Sequence, residues 1–160
     1  MKSDQTECLF MEAVEDTTVL VVDDEKPVAD VYAAQLESEY NVRTAYGGEN
    51  ALDTVDTSVD VVLLDRRMPT LAGDAVLEEI RSRGLDCRVI MVTAVDPDFD
   101  IVDMSFEDYL QKPVDRAELF DAIEKQLAAE SYDKQVTEYM KLNTKVGLLE
   151  EEKPAQELAQ

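Results

Sequence analysis

Val59-Asp60-Val61-Val62-Leu63-Leu64-Asp65-Arg66-Arg67-Met68-Pro69 is the stretch whose reading decides the fold of this chain. Its apolar run is continuous rather than alternating. That is how a strand buried on both faces reads, and such strands belong to parallel sheets covered by helices. The run ends abruptly in the carboxylate of Asp65. In open α/β sheets ligands gather just outside the carboxyl ends of the strands, so an acid placed there meets a ligand while its backbone is held rigidly. A single Asp after a core strand more often caps a helix, and the decision between the two readings comes from the rest of the chain.

Working outward, Thr17 to Val22 (TTVLVV) is another buried-strand pattern, and it runs into three acids, Asp23-Asp24-Glu25. Like charges this close cost energy unless a cation joins them. Pro27 suits a first helical turn, and Val28, Val31, Tyr32, Gln35 and Leu36 follow at helical spacing. Val42 to Tyr46 alternates as a short strand with Gly47-Gly48 as its turn, and Glu49 to Val55 is a short returning helix. Beyond the central stretch, Gly73 to Arg83 carries Ala75, Val76, Leu77 and Ile80 on one side and stops at Gly84. Arg88 to Thr93 (RVIMVT) is a fourth, continuously apolar strand. Tyr109-Leu110-Gln111 is a fifth, running into Lys112-Pro113, and Asp115 caps a helix whose core face includes Leu119, Phe120, Ile123 and Leu127. Five short strands alternating with helices predict an α/β fold, a doubly wound five-stranded parallel sheet with right-handed crossovers.

Three strand ends now carry acids or a hydroxyl: Asp23 and Asp24, then Asp65, then Thr93, with Lys112 after the fifth strand. A carboxylate triad offers the hard oxygen ligands that Mg²⁺ prefers. A lysine supplies a point charge for a phosphoryl oxygen. A carboxylate beside a metal can then take a phosphoryl group by in-line transfer governed by positioning and charge neutralisation.

Composition bounds the alternatives. The chain has 160 residues, enough for one well-cored domain and an appendage. Its 37 acids against 15 bases give a net charge of −22, which repels a nucleic-acid backbone. Such self-repulsion destabilises a compact chain unless salt screens it, so a salt-rich cytoplasm is expected. An acidic disordered tail would explain the charge less well, because the acids are spread over the whole length. Cys8 and Cys87 have neither disulfide-framework nor metal-knuckle spacing, which points to a reducing intracellular location. With no basic n-region followed by an apolar core and no apolar run of membrane length, neither a signal peptide nor a membrane span is expected. The chain has no His, which excludes histidine triads and a phosphohistidine of its own.

The acidic pair Asp23-Asp24, the D-x-x-M-P-x-x-x-G stretch from Asp65 to Gly73, Thr93-Ala94 and Lys112-Pro113 resemble the receiver domain of two-component response regulators, a flavodoxin-like fold. The likeness covers residues 17–130. It implies that Asp65 is the phosphoacceptor for a histidine kinase, and that Asp24, Asp65 and the backbone carbonyl of Arg67 bind Mg²⁺ (or Mn²⁺) directly while Asp23 helps through water. It further implies that Thr93 and Lys112 bind the phosphoryl group, that the Lys112–Pro113 bond is cis, and that Tyr109 is the rotating switch aromatic. The plain alternative for Tyr109 is an edge-strand aromatic without a switch role. Arg67, two residues past the phosphoacceptor, is expected to tune the phosphoryl lifetime. One departure stands out: between Thr93 and Lys112, where receivers place a full helix, lie Pro97 and five Asp. Such acids compete with helix by local hydrogen bonding, so a loop or barely two turns is expected.

Met1 to Asp16 reads as a mobile arm with one apolar patch, Leu9-Phe10-Met11. The tail, residues 131–160, has no basic recognition helix. Tyr132, Val136, Tyr139, Asn143, Val146 and Glu150 follow 4-3 spacing, and the segment resembles the small helical HalX domain found after receivers in haloarchaea. Folding back on its own receiver and weak self-association are both open for it. The favoured function is a phosphorylation switch acting through protein partners, without nucleic acid or membrane, and not an enzyme acting on a separate substrate. A structural adaptor or dimerisation module with a vestigial site is the alternative. An aspartyl-phosphate hydrolase would need a second acid two residues after the nucleophile, where Arg67 stands.

Overall fold

A computed structural model describes residues 16–97, 101 and 103–149, the side chains of 133–135 and 137–149 excepted. The expected N-terminal arm, Cys8 with it, and the end of the tail from Glu150 lie outside the described residues. The elements run β1 (Thr18–Val22), α1 (Lys26–Leu36), β2 (Asn41–Ala45), α2 (Gly48–Thr54), β3 (Val61–Leu64), α3 (Gly73–Ser82), β4 (Arg88–Thr93), β5 (Asp108–Gln111) and α4 (Arg116–Leu149). All strand pairs are parallel and the sheet order is β2-β1-β3-β4-β5. The chain leaves β1 toward one edge, then crosses back to place β3 on the other side. That reversal opens a crevice outside the carboxyl ends of β1 and β3, where doubly wound folds bind ligands.

The continuous apolar runs are buried as their pattern predicts, with every residue of β1 and β3 inside. Successive side chains alternate between the two faces. Leu20, Val22, Val62, Leu64, Val89 and Met91 pack with Ala51 of α2, Val55 just past its end, and Val76, Leu77 and Ile80 of α3. The other face is closed by α1 and the first turns of α4, where Leu119 and Ile123 are fully buried and Tyr40 stacks on Phe120 at 5.8 Å. Burial of each large aliphatic side chain is worth roughly 1.5–3 kcal/mol.

Readings of three helix faces need correction. In α1 the buried stripe is Ala29, Tyr32, Ala33 and Leu36, while Val31 is 53% exposed. The i, i+3, i+4, i+7 stripe runs through two alanines, small enough to bring the helix close to the sheet, and it turns Val31 outward. Ala75 of α3 and Leu127 of α4 are half-buried rather than core. Asp115 does cap α4, accepting the Glu118 N–H at 2.8 Å. Among the described residues between β4 and β5 there is no α-helix, only a short 3₁₀ turn at Ile101 and Asp103.

The chain divides into two compact units, Met1–Ile123 and Glu124–Gln160. The second unit carries the continuation of α4 to Leu149.

Candidate functional site

Register places the acids. Val22 pairs with Leu64 across β1 and β3, so Asp23 and Asp65 are the next residues out of the sheet at one level, and the Asp65 N–H donates to the Val22 carbonyl at 3.0 Å. Asp24 turns in beside them. Carboxylate oxygens of Asp23, Asp24 and Asp65 lie within 4.8 Å of one another. Asp23 is held by its own turn, its Oδ1 accepting the Glu25 N–H at 2.9 Å. On the other side, Thr93 pairs with Gln111 and the Lys112 N–H donates to the Thr93 carbonyl at 2.8 Å, which carries the lysine over the acids. Lys112 Nζ lies 2.6 Å from Asp23 Oδ2 and 3.6 Å from Asp65 Oδ2, and the Lys112–Pro113 bond is cis.

Asp24, Asp65, Thr93 and Lys112 line a cleft of about 580 Å³ with Glu25, Arg67, Ala94, Val95, Asp96 and Pro97, and Asp23 lies buried beneath its acids. Asp23, Asp65 and Thr93 are themselves buried, whereas Arg67 is exposed at the rim. Burial raises the Asp65 carboxyl above its usual range; the Lys112 charge pulls it back, Asp23 pushes it further up, and a hydrogen bond from Thr93 opposes the rise. Burial alone would lower the Lys112 ammonium, yet its hydrogen bond to Asp23 and the charges of Asp65 and Asp23 leave it raised. Lys112 is therefore a fixed cation. Three carboxylates against that one ammonium leave two negative charges in excess. An all-oxygen donor set with that excess fits a hard divalent cation of the Mg²⁺ kind, which binds through one or two carboxylates and keeps several waters.

The loop after Asp65 is closed tightly. The Gly73 N–H donates to the Arg66 carbonyl at 2.8 Å. A Cβ on Gly73 would fall 2.1 Å from the Asp65 carbonyl oxygen, so the glycine of the D-x-x-M-P-x-x-x-G stretch is required by close backbone approach. Thr70 sits in this loop at φ 72°, a conformation β-branched residues rarely adopt. Tyr109 is half-buried; its hydroxyl donates to the Val95 carbonyl at 2.6 Å, and the Val95 N–H donates to Thr93 Oγ1 at 3.3 Å.

Every residue singled out from sequence for this site therefore comes to one end of the sheet. Two neighbours of the site were not singled out. Tyr32 of α1 is buried, which raises its phenol, and it feels the charges of Lys112, Asp23 and Asp65. Arg66, 6% exposed, pairs with Asp74 in the first turn of α3 at 3.1 Å. Away from the cleft, where β4 and β5 begin, Arg81 pairs with Glu107 at 2.9 Å, which the sequence did not show either. Tyr32 at the centre of the Ala29/Leu36 stripe was a legible signal; the two arginines gave none.

Residues 19–124 match the model of the response regulator receiver domain. Over 133 residues the chain is 53% identical to a Haloferax volcanii protein named "Putative transcriptional regulator", a match that covers 82% of this chain and 23% of that relative. Among solved structures, a response regulator receiver domain protein from Clostridium thermocellum is 31% identical with TM-score 0.65, the match covering 72% of this chain and 98% of that one. A CheY-like receiver domain protein from Methanospirillum hungatei superposes with TM-score 0.67 at 23% identity, over 73% of this chain and 98% of that one. With its sheet order, its acidic crevice and a family match across most of its length, the chain belongs to the response regulator receiver domain family of two-component signalling.

Proposed function

We propose that Asp65 accepts a phosphoryl group from the phosphohistidine of a histidine kinase, and that the modified domain signals through protein partners. The observation that carries this is the convergence of Asp23, Asp24, Asp65 and Lys112, from three different strand ends, on one cleft. An Asp65 carboxylate oxygen forms a bond to phosphorus while the phosphorus–nitrogen bond to the imidazole breaks, its electron pair leaving with nitrogen. Lys112 neutralises charge on the transferred group, and Thr93 donates to one of its oxygens. Water later attacks phosphorus and returns the carboxylate, so the chain is a phosphoacceptor with self-catalysed transfer and loss rather than an enzyme acting on a separate substrate.

Asp24, Asp65 and the Arg67 carbonyl are the residues that would hold Mg²⁺ or Mn²⁺, with Asp23 acting through water. When bound, the ion offsets charge on the carboxylates and on the incoming phosphoryl oxygens. Arg67, at the rim of the cleft, is placed to tune how long the phosphoryl group survives. Tyr109 and Thr93 form the switch pair.

The net charge of −22 supports protein rather than nucleic-acid partners for this chain. The Haloferax volcanii relative is far longer, so what its name says belongs to that protein. We divide the chain into an arm (1–16), a receiver (17–130) and a HalX-like helical tail (131–160), the tail being a surface for weak self-association, and place it in the cytoplasm of a halophilic archaeon. The test is labelling from a small-molecule phosphodonor: transfer with Mg²⁺, none after chelation and none in Asp65→Asn. Label that persists in either control rejects the proposal.

A further inference from the structure

Arg81, in the last turn of α3, has no donor left over. Its Nε donates to the Ser105 carbonyl (3.0 Å), Nη1 to the carbonyls of Leu85 (3.1 Å) and Cys87 (2.8 Å), and Nη2 to both Glu107 carboxylate oxygens (2.9 Å each). A guanidinium carries five N–H donors in a rigid fork, and each makes a bond here. One planar group thus ties the end of α3, the turn into β4 and the residues that lead into β5.

Glu107 is the other half of this clamp. Its N–H donates to the Val89 carbonyl at 2.8 Å, and its Oε2 accepts the Val89 N–H. The β4–β5 ladder, which starts at Ile90 and Asp108, is thereby lengthened by one residue, with a side chain standing in for a backbone acceptor. Both partners are about three-quarters buried, so solvent and salt screen the pair less than a surface one.

What the clamp fixes matters because no α-helix, among the described residues, leads into β5. Without a helical ladder of its own, that connection depends on other contacts to set where the strand begins. Tyr109 lies two residues beyond Glu107, on the same face of the strand, with the Phe106 ring against it at 5.7 Å. From Tyr109 the bonded run continues to Val95 and then to Thr93 in the cleft.

We propose that Arg81 is a positioning residue that sets the pose of Tyr109. With the Arg81–Glu107 clamp closed, the approach to β5 is held and the Tyr109 hydroxyl meets the Val95 carbonyl; with it open, residues 104–107 loosen and Tyr109 leaves Val95. Its effect on phosphoryl chemistry rests on the function proposed above, whereas its hold on Tyr109 does not. Spatial continuity is not coupling, and a mutant cycle measures coupling directly.

The test uses the full chain in molar KCl, with fluorotyrosine in place of tyrosine and the Tyr109 ¹⁹F resonance identified by its loss in Tyr109→Phe. Without any phosphodonor, Arg81→Gln and Glu107→Gln are each expected to shift or split that resonance. Arg83→Gln, which removes a neighbouring pair with Glu79 and a bond to the Leu52 carbonyl, is expected to leave it in place. Arg81→Lys, which keeps the charge and loses the fork, replaces Arg81→Gln if that variant does not fold. A Tyr109 resonance unchanged in the folded clamp variants overturns the proposal. In a second arm, Arg81→Gln is expected to change the lifetime of phosphoryl-Asp65 when Tyr109 is present and to have no effect in Tyr109→Phe; additive effects overturn the coupling. If the unmutated chain takes no phosphoryl group on Asp65, the function proposed above fails, and the resonance comparison still judges the clamp.

Discussion

The ammonium of Lys112 stands 2.6 Å from Asp23 Oδ2, joining the end of the fifth strand to the end of the first. The same nitrogen is 3.6 Å from Asp65 Oδ2, so one cation is shared, unequally, by two buried acids. That makes Lys112 the internal counter-ion of a cluster otherwise made of carboxylates. Lys112→Met is therefore expected to tighten divalent-cation binding. One charge at this range is worth at least about 1 kcal/mol even in high dielectric, which is roughly fivefold in affinity. Calorimetric Mg²⁺ titration of the two proteins at low salt checks this, and equal or weaker binding in Lys112→Met would contradict it.

Gly73→Ala tests the closed loop after Asp65. The added methyl would meet the Asp65 carbonyl oxygen at 2.1 Å and the Arg66 Cα at 2.9 Å, both backbone atoms that cannot swing aside. Overpacking of this kind costs about 1–3 kcal/mol. Urea unfolding should show that loss, together with weakened cation binding as Asp65 is displaced. A variant within about 0.5 kcal/mol of the parent would show that the loop yields.

How far the residues alone revealed this fold is clearest at the strands. Val61–Leu64 and Val19–Val22 read as buried because the sheet is covered on both sides, and a continuous run has no other economical explanation. Their terminal acids were legible for the same reason, since strand ends in such sheets converge. The face of α1 was not: Val28 and Val31 outweigh Ala29 and Ala33 in hydrophobicity, but close helix–sheet approach favours the small residues. The Arg81–Glu107 clamp spans 26 positions and both members look like ordinary surface charges, so no local pattern announces it. Arg66 carries no signal in the sequence either, and only the fold shows it buried against Asp74.

Cys87 provides a pH dependence with a definite sign. Burial raises its thiol above the ordinary value, with the Arg81 charge opposing and Glu107 and Asp86 reinforcing the rise. The folded chain then keeps the proton while the unfolded chain releases it near pH ~8.5. Above that pH the unfolded state binds fewer protons, so stability falls, by up to about 1.4 kcal/mol per pH unit, until the folded thiol also ionises. Comparing Cys87→Ala with the parent between pH 8 and 10 isolates this one group. The expected difference is a shallower decline in Cys87→Ala; parallel curves would show that the folded thiol titrates normally.

Salt acts on the whole surface. With 37 acids and 15 bases, the compact state carries more self-repulsion than the expanded one. Raising KCl to about 1 M shortens the screening length to about 3 Å, and the thermal midpoint should climb steeply over that range. A midpoint that stays flat from low to molar KCl would contradict the halophilic assignment.

The central claim is that Asp65, and none of the other acids in the cleft, carries the phosphoryl group. Borohydride reduces an acyl phosphate to an alcohol, so an aspartyl phosphate is read as homoserine at its own position. After treatment with a small-molecule phosphodonor and Mg²⁺, reduction and peptide mass mapping should place homoserine at position 65 and leave Asp23 and Asp24 unchanged. Homoserine at position 23 or 24, or none anywhere in a folded, Mg²⁺-loaded chain, would contradict the account.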